Sequence, residues 1–175
     1  MRQKVDAEHV RAFMRRLGQA CRGSARVYLV GGASAVLEGW RASTIDIDLS
    51  IEGDEGGIFD AIPRLKEELI LNVELACPSD FIPELPGWRE RSPFIAREGA
   101  IDFFHYDFYA QALAKVERGH EQDLEDVHEM LRRKLVEPAK ALELLAQIRP
   151  GLKRYPAVDP PTLEKAAQAA FESAL

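Results

Sequence analysis

Two short stretches carry residue types that do chemistry: Gly31-Gly32-Ala33-Ser34, and then Asp46-Ile47-Asp48. Adjacent glycines ending the apolar run Val27-Tyr28-Leu29-Val30 let the backbone turn sharply and approach a ligand closely. The aspartates fall within Thr44-Ile45-Asp46-Ile47-Asp48-Leu49-Ser50-Ile51, which alternates like a half-buried strand. Alternation puts Ile45, Ile47, Leu49 and Ile51 on one side and Asp46, Asp48 and Ser50 on the other. Carboxylates about 7 Å apart along a strand offer hard oxygens to Mg²⁺, including an ion pair with its ~4 Å spacing. As a plain solvated face the pattern is a poor choice, because aspartate is a weak strand former and repels its twin. A glycine turn for phosphates beside a carboxylate pair for metal points to nucleotide chemistry.

The surrounding pattern supplies elements to hold these residues. Val10, Phe13, Met14, Leu17 and Ala20 recur at helical spacing over residues 6–22, with Asp6 as N-cap. A strand over 26–30 leads into the glycines, and a short helix over 33–38 closes at Gly39. After the aspartate strand, Gly53-Asp54-Glu55-Gly56-Gly57 marks a loop and residues 58–69 a crossover helix. Residues 71–76 form a further strand, on which Asn72, Glu74 and Ala76 share a face. The proline-rich stretch 77–93, with Trp88, Arg89 and Arg91, is expected as a long ordered loop, with Trp88 a lid over the core. Residues 94–97 and 101–106 pair as a hairpin turning at Glu98-Gly99.

From Asp107 the period becomes helical: one helix carries Tyr109, Leu113 and Val116, and the next Leu124, Val127, Met130 and Leu131. Further helices are expected from Pro138 to Gln147 and over 162–175. The expected fold is thus α/β (α+β): a mixed sheet with crossover helices over residues 1–106, then a helical C-terminal part over 107–175 packed on it.

At 175 residues, the chain can bury a substantial core. A formal net charge of −6 argues against general DNA or RNA coating, which runs on clustered positive charge. The two cysteines, Cys21 and Cys77, lack metal-ligand spacing and read as reduced thiols. No signal peptide or bilayer-length apolar run is visible, so a cytoplasmic protein without a membrane partner is expected. His105 and His120 show no ligand spacing and read as structural or surface residues.

Taken together, Gly31-Gly32, the helix ending at Leu37-Glu38-Gly39, Arg41, Thr44 and Asp46-Ile47-Asp48-Leu49 resemble the polymerase-β-type nucleotidyltransferase signature. Thirteen residues separate Gly32 from Asp46. The block Lys115-Val116-Glu117-Arg118, followed by Asp123-Leu124-Glu125-Asp126, resembles the Lys-x-x-Arg…Asp-x-x-Asp segment of AbiEii-like nucleotidyltransferases. Pro78-Ser79-Asp80-Phe81-Ile82-Pro83 is similar to the small DUF6036 branch of that superfamily. The resemblance covers roughly residues 26–134.

The resemblance implies transfer of a nucleoside monophosphate from a nucleoside triphosphate to a protein or RNA acceptor, with Mg²⁺ as cofactor. Asp46 and Asp48 would be metal ligands and catalytic residues. The family pattern also implies a third carboxylate on a neighbouring strand, for which Glu74 is the candidate and Asp102 the rival. Gly31, Gly32 and Ser34 would meet the β- and γ-phosphates, Lys115 would supply a mobile positive charge, and Arg118 a planar fork for phosphate or for Asp123. Asp123 and Asp126, three apart on one helix face, would complete the site, orienting Lys115 or the acceptor. A toxin–antitoxin or defence setting, with a cognate partner protein, is one context the resemblance suggests. The competing expectation is a non-catalytic relative that binds or regulates through the same pocket.

Overall fold

A computed structural model of the chain describes residues 3–53 and 57–173. Of the loop expected at 53–57, Asp54, Glu55 and Gly56 lie outside the described residues, as do the last two positions of the expected C-terminal helix. The chain divides into two units: one runs to Ala76 and resumes over Ser92–Tyr106, and the other takes Cys77–Arg91 and the chain from Asp107 onward. No helix of the described residues is long and apolar enough to cross a membrane.

The first unit is built on five strands, β1 (Ala25–Val30), β2 (Asp46–Glu52), β3 (Asn72–Leu75), β4 (Phe94–Glu98) and β5 (Ile101–His105). They form one mixed sheet in the order β3-β2-β1-β5-β4. β1 pairs antiparallel with β2 and parallel with β5; β2 and β3 are parallel, and β4 and β5 make the expected hairpin. Three helices accompany the sheet: α1 (Ala7–Ala20), α2 (Gly32–Glu38) and α3 (Ile58–Leu69). The Asp6 carboxylate accepts the His9 amide at the start of α1, the cap its position predicts. Val10, Phe13, Met14 and Leu17 of α1, and Ile58, Ala61, Ile62 and Leu65 of α3, pack with Val27, Leu29, Ile47, Leu49, Val73, Ile101 and Phe103. Burying each large side chain there contributes about 1.5–3 kcal/mol of transfer free energy.

All of those strand residues lie on one face. The other face carries the alternate residues, among them Tyr28, Asp46, Asp48, Ser50, Glu74 and Phe104. Two details differ from the alternation read in the sequence. Ile45 is 49% exposed, because β2 begins only at Asp46 and the chain before it is held by a single bridge between Val5 and Thr44. Leu75 is 62% exposed, because β3 is the sheet edge.

The second unit is helical: α4 (Trp88–Arg91), α5 (Phe108–Arg118), α6 (Glu121–Arg132), α7 (Pro138–Ile148) and α8 (Pro160–Glu172). The stretch expected as a loop therefore contains structure, a 3₁₀ turn over Pro78–Asp80 and the short α4. Its turn is tied down by Tyr155, whose hydroxyl donates to the Ser79 carbonyl at 2.7 Å. Trp88 is buried, with the Arg89 guanidinium 4.4 Å over its ring. Leu113, Val116, Val127, Met130, Leu144, Leu163 and Phe171 are also buried. Leu124, expected on the apolar face of α6, is instead 44% exposed, one residue past the buried Asp123.

Candidate functional site

β1 leads straight into the glycine turn. Gly31 has φ +61° and ψ −126°, backbone that an L side chain rarely adopts. A Cβ there would stand 3.5 Å from Asp48 Oδ2 and, apart from its chain neighbours, meet nothing else within 4 Å. The Asp48 carboxylate therefore lies directly against the turn, on the side where a Gly31 side chain would stand. Gly32 is required for a different reason: a Cβ at that position would fall 2.0 Å from Thr44 Oγ1.

Strand register decides which acids gather at the turn. Val30 lies opposite Asp48, Asp48 opposite Glu74, and Asp46 opposite Asn72. Cross-strand partners point to the same face, so Asp46, Asp48, Asn72 and Glu74 form one polar patch. Asn72 Nδ2 donates to Asp46 Oδ1 at 2.6 Å and to Glu74 Oε1 at 2.8 Å. Asp102 pairs with Arg26, four residues back along β1 from Val30, or about 13 Å along the strand. It faces Arg97 at 3.6 Å. Between the two rivals for a third carboxylate, Glu74 is the one beside the aspartates.

Among the described residues, no three His, Cys, Asp or Glu side chains already converge as a metal cage. The donor set nevertheless fits Mg²⁺, which takes hard oxygens from one or two carboxylates and completes its shell with water and substrate phosphate. Asp46 and Asp48 are half-buried, keeping part of their hydration, and Asp48 borders the Gly31 turn where phosphate oxygens would enter.

Ser34 does not face that turn. It is fully buried, with Oγ 3.0 Å from the Leu29 carbonyl and 3.0 Å from His105 Nδ1. The third residue of α2 points at the sheet, so the expected phosphate contact gives way to an inward one. His105 Nε2 lies 3.0 Å from Glu38 Oε1. Burial, helped by the charge of Arg11, pushes the imidazole down to about 4 despite that carboxylate. The ring is therefore neutral over most of the pH range. The Ser34 hydroxyl donates to the Leu29 carbonyl, whose second lone pair accepts the Tyr106 amide at 2.9 Å.

In the second unit Lys115 is buried as well. Its Nζ donates to Asp126 Oδ2 at 2.8 Å and to Asp123 Oδ1 at 3.3 Å. Arg118 forks onto both oxygens of Asp123, Nε to Oδ2 at 3.1 Å and Nη2 to Oδ1 at 2.7 Å. Three-residue spacing on α5 and on α6 puts each pair on one helix face, and the four charges sum to zero. The expected mobile lysine is thus a locked one, and the expected Arg118–Asp123 fork is present. A second ion pair anchors α5: the half-buried Arg91 meets the buried Asp107 Oδ2 through Nε at 3.1 Å and Nη2 at 2.7 Å. Burial raises the Asp107 carboxyl's pKa, against the pull of Arg91.

Sequence reasoning gave no role to Asn72 or Glu38 and read His105 as a structural or surface residue; it is buried. The signals were present: Asn72 and Glu74 alternate on one strand face, and His105 continues the buried alternation Ile101, Phe103.

Over residues 8–148 the sequence matches the family described as a nucleotidyltransferase of unknown function, DUF6036. The chain belongs to this family. The DUF6036 match starts within α1 and ends with α7, so it takes in both the acid face and the Lys115–Asp126 cluster and reaches past the motif-bearing residues 26–134. No curated protein and no solved structure matches this DUF6036 chain.

Proposed function

We propose that the chain transfers a nucleoside monophosphate from a nucleoside triphosphate to a protein or RNA acceptor, with Mg²⁺ as cofactor. The observation that carries this reading is the Asp48 carboxylate set against the Gly31 turn, with Asp46 and Glu74 on the same sheet face. Mg²⁺, when bound, neutralises charge on the triphosphate and on the attacking oxygen. Asp46 and Asp48 would hold it, and Gly31 would bring its backbone close to the phosphates because no side chain intervenes. Glu74, exposed and tethered through Asn72, stands where it can accept the proton of an incoming hydroxyl. In the second unit Arg118, Lys115 and Asp123 hold α5 against α6. A toxin–antitoxin or defence setting, with a cognate partner protein, is the context we propose from the resemblance.

A second reading, a non-catalytic nucleotide-binding or regulatory protein, is favoured by one feature: the Asn72 amide already bridges Asp46 and Glu74, a neutral tie where a cation would otherwise stand. Calorimetry with ATP and GTP, with and without Mg²⁺, separates the two. Metal-dependent binding that is lost in Asp48→Asn supports the catalytic site; binding that ignores both metal and mutation supports the regulatory one.

A further inference from the structure

His105 lies on the helix-covered face of the sheet, 5% exposed, among Phe103, Ile101 and Leu29. A hydrophobic side chain would fill such a place at no electrostatic cost. Instead the chain buries an imidazole, and both ring nitrogens find partners on α2: Ser34 Oγ and Glu38 Oε1, each at 3.0 Å. Ser34 and Glu38 are four residues apart, so they lie on the same face of that helix, one turn above the other.

α2 needs such a tie. At seven residues it is too short to hold helical structure by itself, and it is bounded by two positive-φ glycines, Gly31 and Gly39. Its first turn continues directly from the glycine pair, so any shift of α2 displaces Gly31 against Asp48.

We infer that His105 is a positioning residue: by bonding Ser34 and Glu38 together it latches α2 to β5 and fixes the Gly31 turn against the Asp48 carboxylate. The inference rests on the reading of that turn as the phosphate-binding part of the site. The latch acts on phosphate affinity and leaves the acid pair itself alone, because Asp46 and Asp48 are set by β2 and its neighbours.

His105→Phe removes both bonds while filling the space. His105→Asn offers an amide near the Nδ1 position for Ser34, and His105→Gln one near the Nε2 position for Glu38. Three quantities decide: hydrogen exchange of the α2 amides, Mn²⁺ binding to the protein alone by electron paramagnetic resonance, and Mg·ATP affinity by calorimetry. In His105→Phe, α2 exchange rises and Mg·ATP affinity falls about tenfold, the scale of one lost buried hydrogen bond. Mn²⁺ affinity changes less than about twofold, and Asn or Gln restores part of the ATP affinity. Unchanged α2 exchange in a folded His105→Phe protein overturns the latch, and equal losses of Mn²⁺ and Mg·ATP overturn it in favour of a general structural role. If His105→Phe does not fold, Ser34→Ala and Glu38→Leu each remove one of the two His105 bonds and are read in the same way. A wild-type protein that binds no Mg·ATP sinks the functional reading instead, and α2 exchange then decides the latch by itself.

Discussion

Asp123 and Asp126 are 2% and 0% exposed, with Lys115 and Arg118 against them, whereas Asp46 and Asp48 are half-buried on a sheet face and Asp46 shares one neutral amide with Glu74. The residue types are the same and the degree of burial differs. Carboxylates taken out of water need paired cations, and once paired they are part of the framework. Carboxylates that keep some hydration and border a glycine turn can still exchange water for a metal and a phosphate. The sequence motif in each unit is acidic; we propose that the sheet-face acids are the ones that accept a ligand.

The sharpest way to break this comparison is to neutralise one charge in each place. Asp48→Asn should lower nucleotidyl transfer by about a thousandfold or more, the several kcal/mol that a metal ligand contributes to charge stabilisation. Its urea midpoint should hardly move. Lys115→Met should do the reverse, costing about 3–5 kcal/mol in urea unfolding because the buried Asp126 loses the Lys115 ammonium, while Asp123 keeps Arg118. Lys115→Met/Asp126→Leu should recover much of that loss, because an apolar replacement no longer strands the second charge.

A smaller effect separates the two glycines. Gly32→Ala should destabilise by about 1–3 kcal/mol through overpacking against Thr44, and Thr44→Ala should relieve part of it, since the hydroxyl at 2.0 Å is removed while the Thr44 Cβ at 2.7 Å stays. Gly31→Ala should not respond to Thr44→Ala, because its constraint is the positive φ.

The smallest effect is in pH. Folded His105 titrates near 4 against an ordinary 6.5, so between those values the unfolded chain binds more protons and stability falls as pH falls. Thermal or urea unfolding should show about 2 kcal/mol lost between about pH 7 and about pH 5. That slope should be reduced in His105→Asn. An identical slope in the variant would assign the loss to other groups.

Much of this was legible in the residues. The turn at Gly31, the strand carrying the aspartates and the helix over 58–69 follow from local pattern, and the structure has them where pattern puts them. What local pattern could not supply is what depends on register or on distant partners. Choosing Glu74 over Asp102 requires knowing that β3 runs beside β2 while Asp102 pairs at the far end of β1. The inward turn of Ser34 depends on how a seven-residue helix rolls against β5, and its partner is 71 residues away. The three-residue spacing of Asp123 and Asp126 showed a shared face, but their burial depends on a lysine on another helix. Ile45 shows the converse error, alternation read one residue beyond the start of the strand.

The most direct test is a labelled-nucleotide transfer assay. Wild type, Asp46→Asn/Asp48→Asn and Lys115→Met are each incubated with the four nucleoside triphosphates, Mg²⁺ and an extract of RNA and protein. The account predicts label in a macromolecule with wild type, none with the double aspartate variant, and retained transfer by whatever fraction of Lys115→Met stays folded. Label that survives loss of both aspartates would contradict it.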